Sequence, residues 1–390
     1  MKMTDVSSKL PVSALLALAT AGFITILTEA LPAGLLSQIG DSLLITPALA
    51  GQLVTVYAIG SLLAAIPLTL ATQTLRRRPL LLSAIAGFAV ANTLTALSHH
   101  YALTLVARFI AGVSAGLLWA LIAGYAARMV HESIKGRAIA LAMVGTPLAL
   151  SVGIPLGTWV SEIIGWRSCF LTISVLTLVL AGWIMISVPD FPGQAAAKRQ
   201  RLLNVLRLPG VRPILLVTLI FVLAHNILYT YISPFLQHAG MGNSISLILL
   251  VFGLTSLLGI GIVGTRVDSG LRGLSLLATA LFALSALALT SGNPLVIYLA
   301  TGVWGLAFGG APALFQTALA NSAGNAADVA QSMLVTAWNM AIAGGGLAGA
   351  AILNGFGPTF FSPVLLVLLI LTWLIILSAR QHGFPAAEDG

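Results

Sequence analysis

Eighteen Lys and Arg and ten Asp and Glu are spread over 390 residues, and of these only Glu29 and Arg108 fall well inside a long apolar run. An ionisable side chain at bilayer depth costs at least roughly 2.5 kcal/mol on insertion scales, so it is rarely retained without a task. Glu29 lies about nine residues before the end of the first run and Arg108 about seven after the start of the fourth. At 1.5 Å per residue both sit roughly 10–14 Å below the same surface. Burial and a neighbouring guanidinium act on a carboxyl's protonation in opposite senses, so a movement that changes their separation would bind or release a proton. Two other readings stay open: the carboxylate contacts a guest molecule directly, or the pair is a static tie between two helices.

A second cluster occupies the seventh run: His225, Asn226, Tyr229, Thr230, Tyr231 and Ser233. His225 and Tyr229 are four apart and share a helical face, and they offer donors, acceptors and an aromatic wall to a hydroxylated or aromatic guest. The alternative is ordinary packing with an interhelical hydrogen bond. Trp119, Trp304, Gln316, Trp338 and Asn339 are further large or polar side chains within apolar runs. For each of them, packing competes evenly with contact to a guest.

The elements that position these groups follow from hydropathy. Hydrophobic residues make up 58% and charged residues 7%, with a mean hydropathy of +1.04, whereas a soluble domain carries roughly 25% charge. An integral membrane protein is expected. Since a bilayer core needs about 20 apolar residues per helix, the spans are placed at 11–38, 50–73, 79–97, 101–127, 136–160, 167–188, 213–236, 244–266, 273–291, 294–319, 329–354 and 359–379. The first run leads directly into further spans and reads as a retained helix, not a signal peptide.

Orientation comes from loop charge. Lys2, Lys9, Arg76, Arg77, Arg78, Arg128, Lys135, Arg137, Lys198, Arg199, Arg201, Arg207, Arg212, Arg266, Arg272 and Arg380 share one side, with Arg167 alone opposite. Both termini are therefore expected in the cytoplasm. The net charge of +8 is topological, and no basic domain is available for nucleic acid. The hydrophilic stretch 189–212 reads as a cytoplasmic linker between halves 1–188 and 213–390.

The halves read as repeats. Gly112 and Gly116, Gly153 and Gly157, Gly305 and Gly309, and Gly345 and Gly349 form GxxxG pairs on helices 4, 5, 10 and 11. Small residues four apart let helix backbones approach closely. Pro32 and Pro234 stand near the same ends of helices 1 and 7. Parallel six-helix repeats around a midplane site are a transporter architecture.

Two enzyme motifs are rejected on context. Gly112 to Gly116 reads GxSxG and Gly259 to Gly264 reads GxGxxG, but both lie inside hydrophobic helices and lack the strand that each motif requires. No carboxylate pair, metal-ligand spacing or phosphate-binding Lys loop is present, so no enzyme activity, metal or cofactor is expected and a proton gradient is the energy source that fits. Cys169 is the single cysteine; it cannot form an internal disulfide and reads as a packed small side chain.

Together these segments resemble the major facilitator superfamily, in its twelve-helix drug:proton antiporter branch, over nearly the whole chain. Gly264, Asp268 and Arg272 match its Gly-x-x-x-Asp loop signature, with Gln73 in place of the Asp in the first-half loop. Arg108 and Gly112 fit its helix 4 motif. Gly153, Pro155 and Gly157 are similar to its helix 5 Gly-Pro packing motif, followed by Gly165, Trp166, Arg167 and Phe170. The stretches Thr28 to Pro32 and Tyr229 to Pro234 resemble sugar-efflux, arabinose-exporter-like and chloramphenicol-resistance exporters. The resemblance implies an all-α membrane protein of the major facilitator fold, with twelve transmembrane helices in two pseudo-symmetric six-helix halves.

It further implies a proton-coupled exporter of small molecules in the bacterial inner membrane. A drug or related amphipathic or hydroxylated compound is the expected cargo, and protons, lipid and that molecule are the expected partners of a monomer. Sugar or nucleoside export is the alternative, although Ala115 stands where the sugar exporters tend to carry a His. A membrane-embedded enzyme or a receptor is the reading from another class, and the nucleophile or output domain it needs is not visible. Glu29 and Arg108 are the expected coupling pair, and helices 4, 10 and 11 line the cavity in this superfamily. Inner-face gating is expected to lean on Asp268, Arg272 and the cluster Arg76, Arg77 and Arg78, with retention of topology an equal explanation for the three arginines.

Overall fold

The computed structural model describes residues 10–72, 74–131, 138, 141–193, 202–323 and 326–385. The side chains of 66, 69, 70, 123, 127, 202, 268, 269 and 327–329 fall outside that description, as does all of Gln73; the expectations for Gln73 and the Asp268 carboxylate therefore lie outside the described residues. Among the described residues, twelve helices are long and apolar enough to cross a bilayer: α1 Val12–Gly34, α2 Pro47–Ala65, α3 Arg77–Leu97, α4 Tyr101–Ala126, α5 Leu141–Ile164, α6 Trp166–Ser187, α7 Val211–Thr230, α8 Gly242–Val267, α9 Gly270–Ser291, α10 Pro294–Ala323, α11 Ala330–Gly355 and α12 Pro358–Ser378. The described residues contain no strand. In hydrocarbon every backbone group must be satisfied within its own segment, and helices do this.

Prolines adjust the expected ends. The run read as 11–38 is α1 followed by a separate short helix, Leu36–Leu43. The run read as 213–236 breaks at Tyr231, after which Ile232–His238 forms its own short helix. Pro234 cannot donate to the Thr230 carbonyl and its ring would clash with it, so the chain turns there. In α5 a π-helical turn, Ala149–Gly153, precedes Pro155, which has no N–H for the Ser151 carbonyl. Between α8 and α9 the helix kinks at Gly270, with φ −143° and ψ 26°.

The chain packs as two compact units, one of Met1–Leu31 with Val56–Ala197 and one of Pro32–Thr55 with Lys198–Gly390. The same packing device recurs in each. On α4, a Cβ at Gly112 or Gly116 would strike the carbonyls of Tyr57 and Ser61 on α2. On α10, a Cβ at Gly305 or Gly309 would strike those of Phe252 and Ser256 on α8. Gly153 and Gly157 of α5 lie against Phe23 and Leu31 of α1, as Gly345 and Gly349 of α11 lie against Asn226 and Tyr231 at the end of α7. In all four GxxxG pairs the missing side chains are replaced by a neighbouring helix. Cys169 is buried, 3.7 Å from the Gly157 carbonyl.

Candidate functional site

Pro32, next in the chain after the first unit's Met1–Leu31 segment, shapes the α1 turn on which that unit's polar centre is built. Its nitrogen carries no hydrogen, so the carbonyl of Thr28 one turn earlier loses its helical donor. Arg108, fully buried on α4, fills that gap: Nη1 donates to the Thr28 oxygen at 2.7 Å and Nη2 to the Glu29 oxygen at 3.2 Å. A guanidinium is well suited here because its planar fork reaches two acceptors at once. Tyr57 of α2 lies beneath, with the Arg108 guanidinium carbon 4.9 Å from its ring centroid, a cation–π contact. The Tyr57 hydroxyl is hydrogen-bonded to the Glu29 carboxyl and stands 3.3 Å from the Thr25 carbonyl. The Asn92 amide donates to the Thr28 hydroxyl at 3.0 Å.

Three helices, α2, α3 and α4, thus converge on one turn of α1. Glu29 is only half-buried while Arg108, Tyr57, Thr28 and Asn92 are buried. The arrangement is a carboxyl on a half-buried residue beside a cation fastened to main-chain oxygens. It can hold or release a proton without moving the guanidinium out of the helix packing. Tyr57 and Asn92 were missed from sequence because each is one polar atom in a helix of otherwise packed side chains. The proline one turn after Thr28 was the available signal.

Of the other candidate residues, the second unit brings some together. The His225 ring stacks on Phe308 at 3.5 Å and 10°, with Tyr229 at 5.1 Å, Trp304 at 5.3 Å and Phe252 at 5.7 Å. Trp338 reaches the cluster only through Phe308, at 6.2 Å. Among the described residues, His225 Nδ1, Trp304 Nε1 and Thr301 Oγ1 are buried without a hydrogen-bond partner, which costs each roughly 1–3 kcal/mol until something satisfies it. Asn226 and Asn339 instead donate to carbonyls of their own helices, Val222 at 2.9 Å and Val335 at 3.0 Å. Gln316 is exposed, and its main-chain oxygen accepts from Gln331 at 3.0 Å. Trp119 belongs to the first unit, where it lies over Gly22 of α1.

The loop arginines are tethered within their own units. Arg76 pairs with Asp190 at 2.6 Å, and the Arg78 N–H donates to the same carboxylate at 3.0 Å. Arg78 Nη1 donates to the Met185 carbonyl at the end of α6 at 3.3 Å, and the Arg77 N–H donates to the Phe191 carbonyl at 2.9 Å. Burial raises the Asp190 pKa, but hydrogen bonds from Arg78 and Arg76 and their charges outweigh it and hold the carboxyl below its usual range. Arg272 plays the matching part in the second unit, donating to the Ile376, Leu377 and Phe384 carbonyls at 2.7, 3.0 and 3.0 Å and so capping α12. Arg167, alone on its side in the sequence, donates to the Ser98 carbonyl beyond the end of α3 at 2.9 Å and lies over Trp166. Asp190 was invisible within a stretch read as linker.

The Major Facilitator Superfamily profile matches residues 18–346. The chain belongs to the major facilitator superfamily. This superfamily member is a multi-pass membrane transporter of small molecules and not an enzyme. Over 381 residues it is 30% identical to a Pseudomonas aeruginosa protein named transcription regulatory protein OpdE, covering 95% of this chain and 94% of that one. It is 29% identical over 379 residues to a probable sugar efflux transporter of Mannheimia succiniciproducens, covering 94% of each. It is also 29% identical over 359 residues to the purine ribonucleoside efflux pump NepI of Escherichia coli, covering 90% of each. The fold matches a crystal structure of a bacterial homolog to the human lysosomal transporter Spinster, with a TM-score of 0.68, 13% identity and 97% of both chains covered.

Proposed function

We propose that this transporter is a proton-coupled exporter of the bacterial inner membrane, with both termini cytoplasmic, working as a monomer by alternating access of the halves 1–188 and 213–390 about the linker 189–212. The observation that carries the reading is the Glu29 carboxyl, on a half-buried residue, beside a guanidinium pinned by Pro32-freed main chain. Proton uptake at Glu29 removes its charge partner's counter-charge while Arg108 keeps its carbonyl acceptors. The two protonation states therefore differ in how strongly α1 and α4 are held together, and that difference drives an alternating cycle. The cationic loops support the orientation. Arg76, Arg77, Arg78, Asp268 and Arg272 serve the inner gate in this reading, with Gly153, Pro155 and Gly157 as the packing surface on which α5 slides.

His225, Tyr229 and Trp304 recognise the cargo, helped by Asn226, Trp119, Gln316, Trp338 and Asn339 as the cavity changes shape. The unpartnered nitrogens and ring faces suit a planar molecule with donors and acceptors. The purine ribonucleoside pump among the relatives favours a nucleoside, ahead of a sugar or an antibacterial drug. The test is efflux from proteoliposomes under an imposed pH gradient, with purine nucleosides, sugars and phenicols as a panel, comparing the native chain with Glu29→Gln. Loss of gradient-driven flux with retained exchange supports coupling at Glu29. Equal driven flux in both removes it.

A further inference from the structure

Phe191 and Pro192 follow α6, and Phe384 and Pro385 follow α12. The two Phe-Pro pairs are as far apart in the chain as Gly112 and Gly305, or Gly116 and Gly309, so they hold the same place in the repeat. In each unit the pair ends a segment that folds back onto the helices of that unit. In the first, the Tyr125 hydroxyl near the end of α4 donates to the Pro189 carbonyl at 2.7 Å, and the Phe191 and Tyr125 rings meet edge to face with centroids 5.5 Å apart. The Phe191 carbonyl accepts the Arg77 N–H at 2.9 Å, and the Asp190 carboxylate takes the Arg76 side chain and the Arg78 N–H. In the second, Gly383 at φ +101° lets the Phe384 N–H turn back to the Ala379 carbonyl at 3.1 Å, a closure that needs a left-handed residue. Phe384 is fully buried, and its carbonyl accepts from Arg272 of α9 at 3.0 Å. A Cβ on Gly210, just before α7, would stand 2.6 Å from the Gly383 nitrogen and 2.7 Å from Ser322 Oγ of α10, so the segment is seated on bare backbone.

We infer that the two Phe-Pro segments are matching hooks that position the arginines at the start of the third helix of each half, with Phe191 and Phe384 as the anchors. An arginine on a free loop samples many rotamers, and ordering it has an entropic cost. Here the ordering is done by the segment after the sixth helix of the same half: its aromatic supplies the apolar burial that holds it down, and its carbonyls and carboxylate fix the direction of the arginine main chain or guanidinium. The proline after each aromatic has no N–H and cannot continue a helix, so the chain leaves the bundle there. The halves reach this end by different bonds. The first holds α3 through two main-chain amides and an ion pair, whereas the second holds α9 through one guanidinium. Shared placement with unshared bonding is what a positional task retained in both repeats would leave. The inference takes the gating role of Arg76, Arg77, Arg78 and Arg272 from the reading above and names what sets their place.

The experiment measures the rate at which phenylglyoxal modifies each arginine of the full chain in lipid nanodiscs, read by peptide mass spectrometry. Phe384→Ala is expected to speed modification of Arg272 about tenfold, the effect of losing one or two hydrogen bonds, and to leave Arg77 and Arg78 unchanged. Phe191→Ala is expected to do the reverse, speeding Arg77 and Arg78 and sparing Arg272. Arg167, at the other end of α6 from Phe191, reports general loosening and should keep its native rate in both. Phe384→Leu and Phe191→Leu retain an apolar anchor and should restore most of the protection. Should Phe384→Ala fail to fold, Gly383→Ala, which places a side chain at φ +101°, carries the same expectation for Arg272. Native rates at the arginines of the same half in both alanine variants overturn the hooks, as does equal acceleration in both halves and at Arg167. Modification needs neither cargo nor gradient, so a transport assay in which the arginines prove dispensable for gating leaves this result standing, and failure of the hooks leaves the gating question to that assay.

Discussion

If Pro32 exists to free the Thr28 carbonyl for Arg108, the two residues must be thermodynamically coupled with a predictable sign. Arg108→Leu in the native background strands a buried carbonyl that accepts at 2.7 Å, and an unsatisfied buried acceptor costs about 1–3 kcal/mol. In the Pro32→Ala background the restored N–H at position 32 satisfies that carbonyl, and the same Arg108→Leu change strands nothing there. Arg108→Leu is therefore expected to destabilise the Pro32→Ala protein less than the native one by about 1–3 kcal/mol, a coupling well above the roughly 0.5 kcal/mol scatter of independent sites. Pro32→Ala alone gains up to about 3 kcal/mol of helix propensity and loses part of a charge-assisted bond worth about 1.5–3 kcal/mol, so its own stability is expected to change little. The assay is a double-mutant cycle on thermal or denaturant unfolding in one detergent, with size-exclusion elution as the check on folding. Additivity of the two substitutions would refute the account of why this helix carries a proline there.

Other outcomes follow from contacts already described. Asp190 has a depressed folded pKa, so its stabilisation is complete above the unfolded value of about 3.9 and is lost as pH falls through the lower folded value; Asp190→Asn should flatten that acid limb in a plot of Tm against pH. Arg76 is largely exposed, so at neutral pH Arg76→Ala should cost less than about 1 kcal/mol by denaturant titration. Gly112→Val and Gly305→Val set side chains against backbone carbonyls that cannot yield and should each cost about 3 kcal/mol or prevent folding, whereas Gly261→Ala, with nothing within 4 Å, should be near neutral; Tm and monodisperse yield separate the cases. Arg272→Ala removes two bonds that cap α12 and one to the Phe384 carbonyl beyond it and should lower stability by about 1.5–3 kcal/mol with a matching rise in proteolysis after Ser378.

Particular residues show where sequence reading stopped. Arg108 was recognisable as an intramembrane cation, but its nearest acceptors are main-chain oxygens, which carry no residue signature. Trp304 and His225 could be named as large polar aromatics, yet their contact with each other, and that of His225 with Phe252 and Phe308, depends on how α7, α8 and α10 pack. Gln316 and the two asparagines were named on the same grounds; that the asparagine amides donate to carbonyls of their own helices depends on local geometry that residue type does not specify. Arg272 could be placed in a loop, whereas its role as a cap depends on α12 ending beside it.

By itself the sequence determined the membrane class, the number of crossings, the glycine pairs that bring helices into backbone contact and the one carboxyl and one guanidinium at depth. These are local properties, because a bilayer obliges each segment to satisfy its own backbone and so makes hydropathy and helical spacing sufficient guides. Only the tertiary structure decided that Arg108 caps a carbonyl 80 residues earlier, that Arg76 finds Asp190 across 114 residues and that Gln52 meets Tyr231 across 179. Those partners share no periodicity or motif; they are joined by helices crossing at fixed places, and a hydrogen bond or ion pair is specified only once both of its ends have positions.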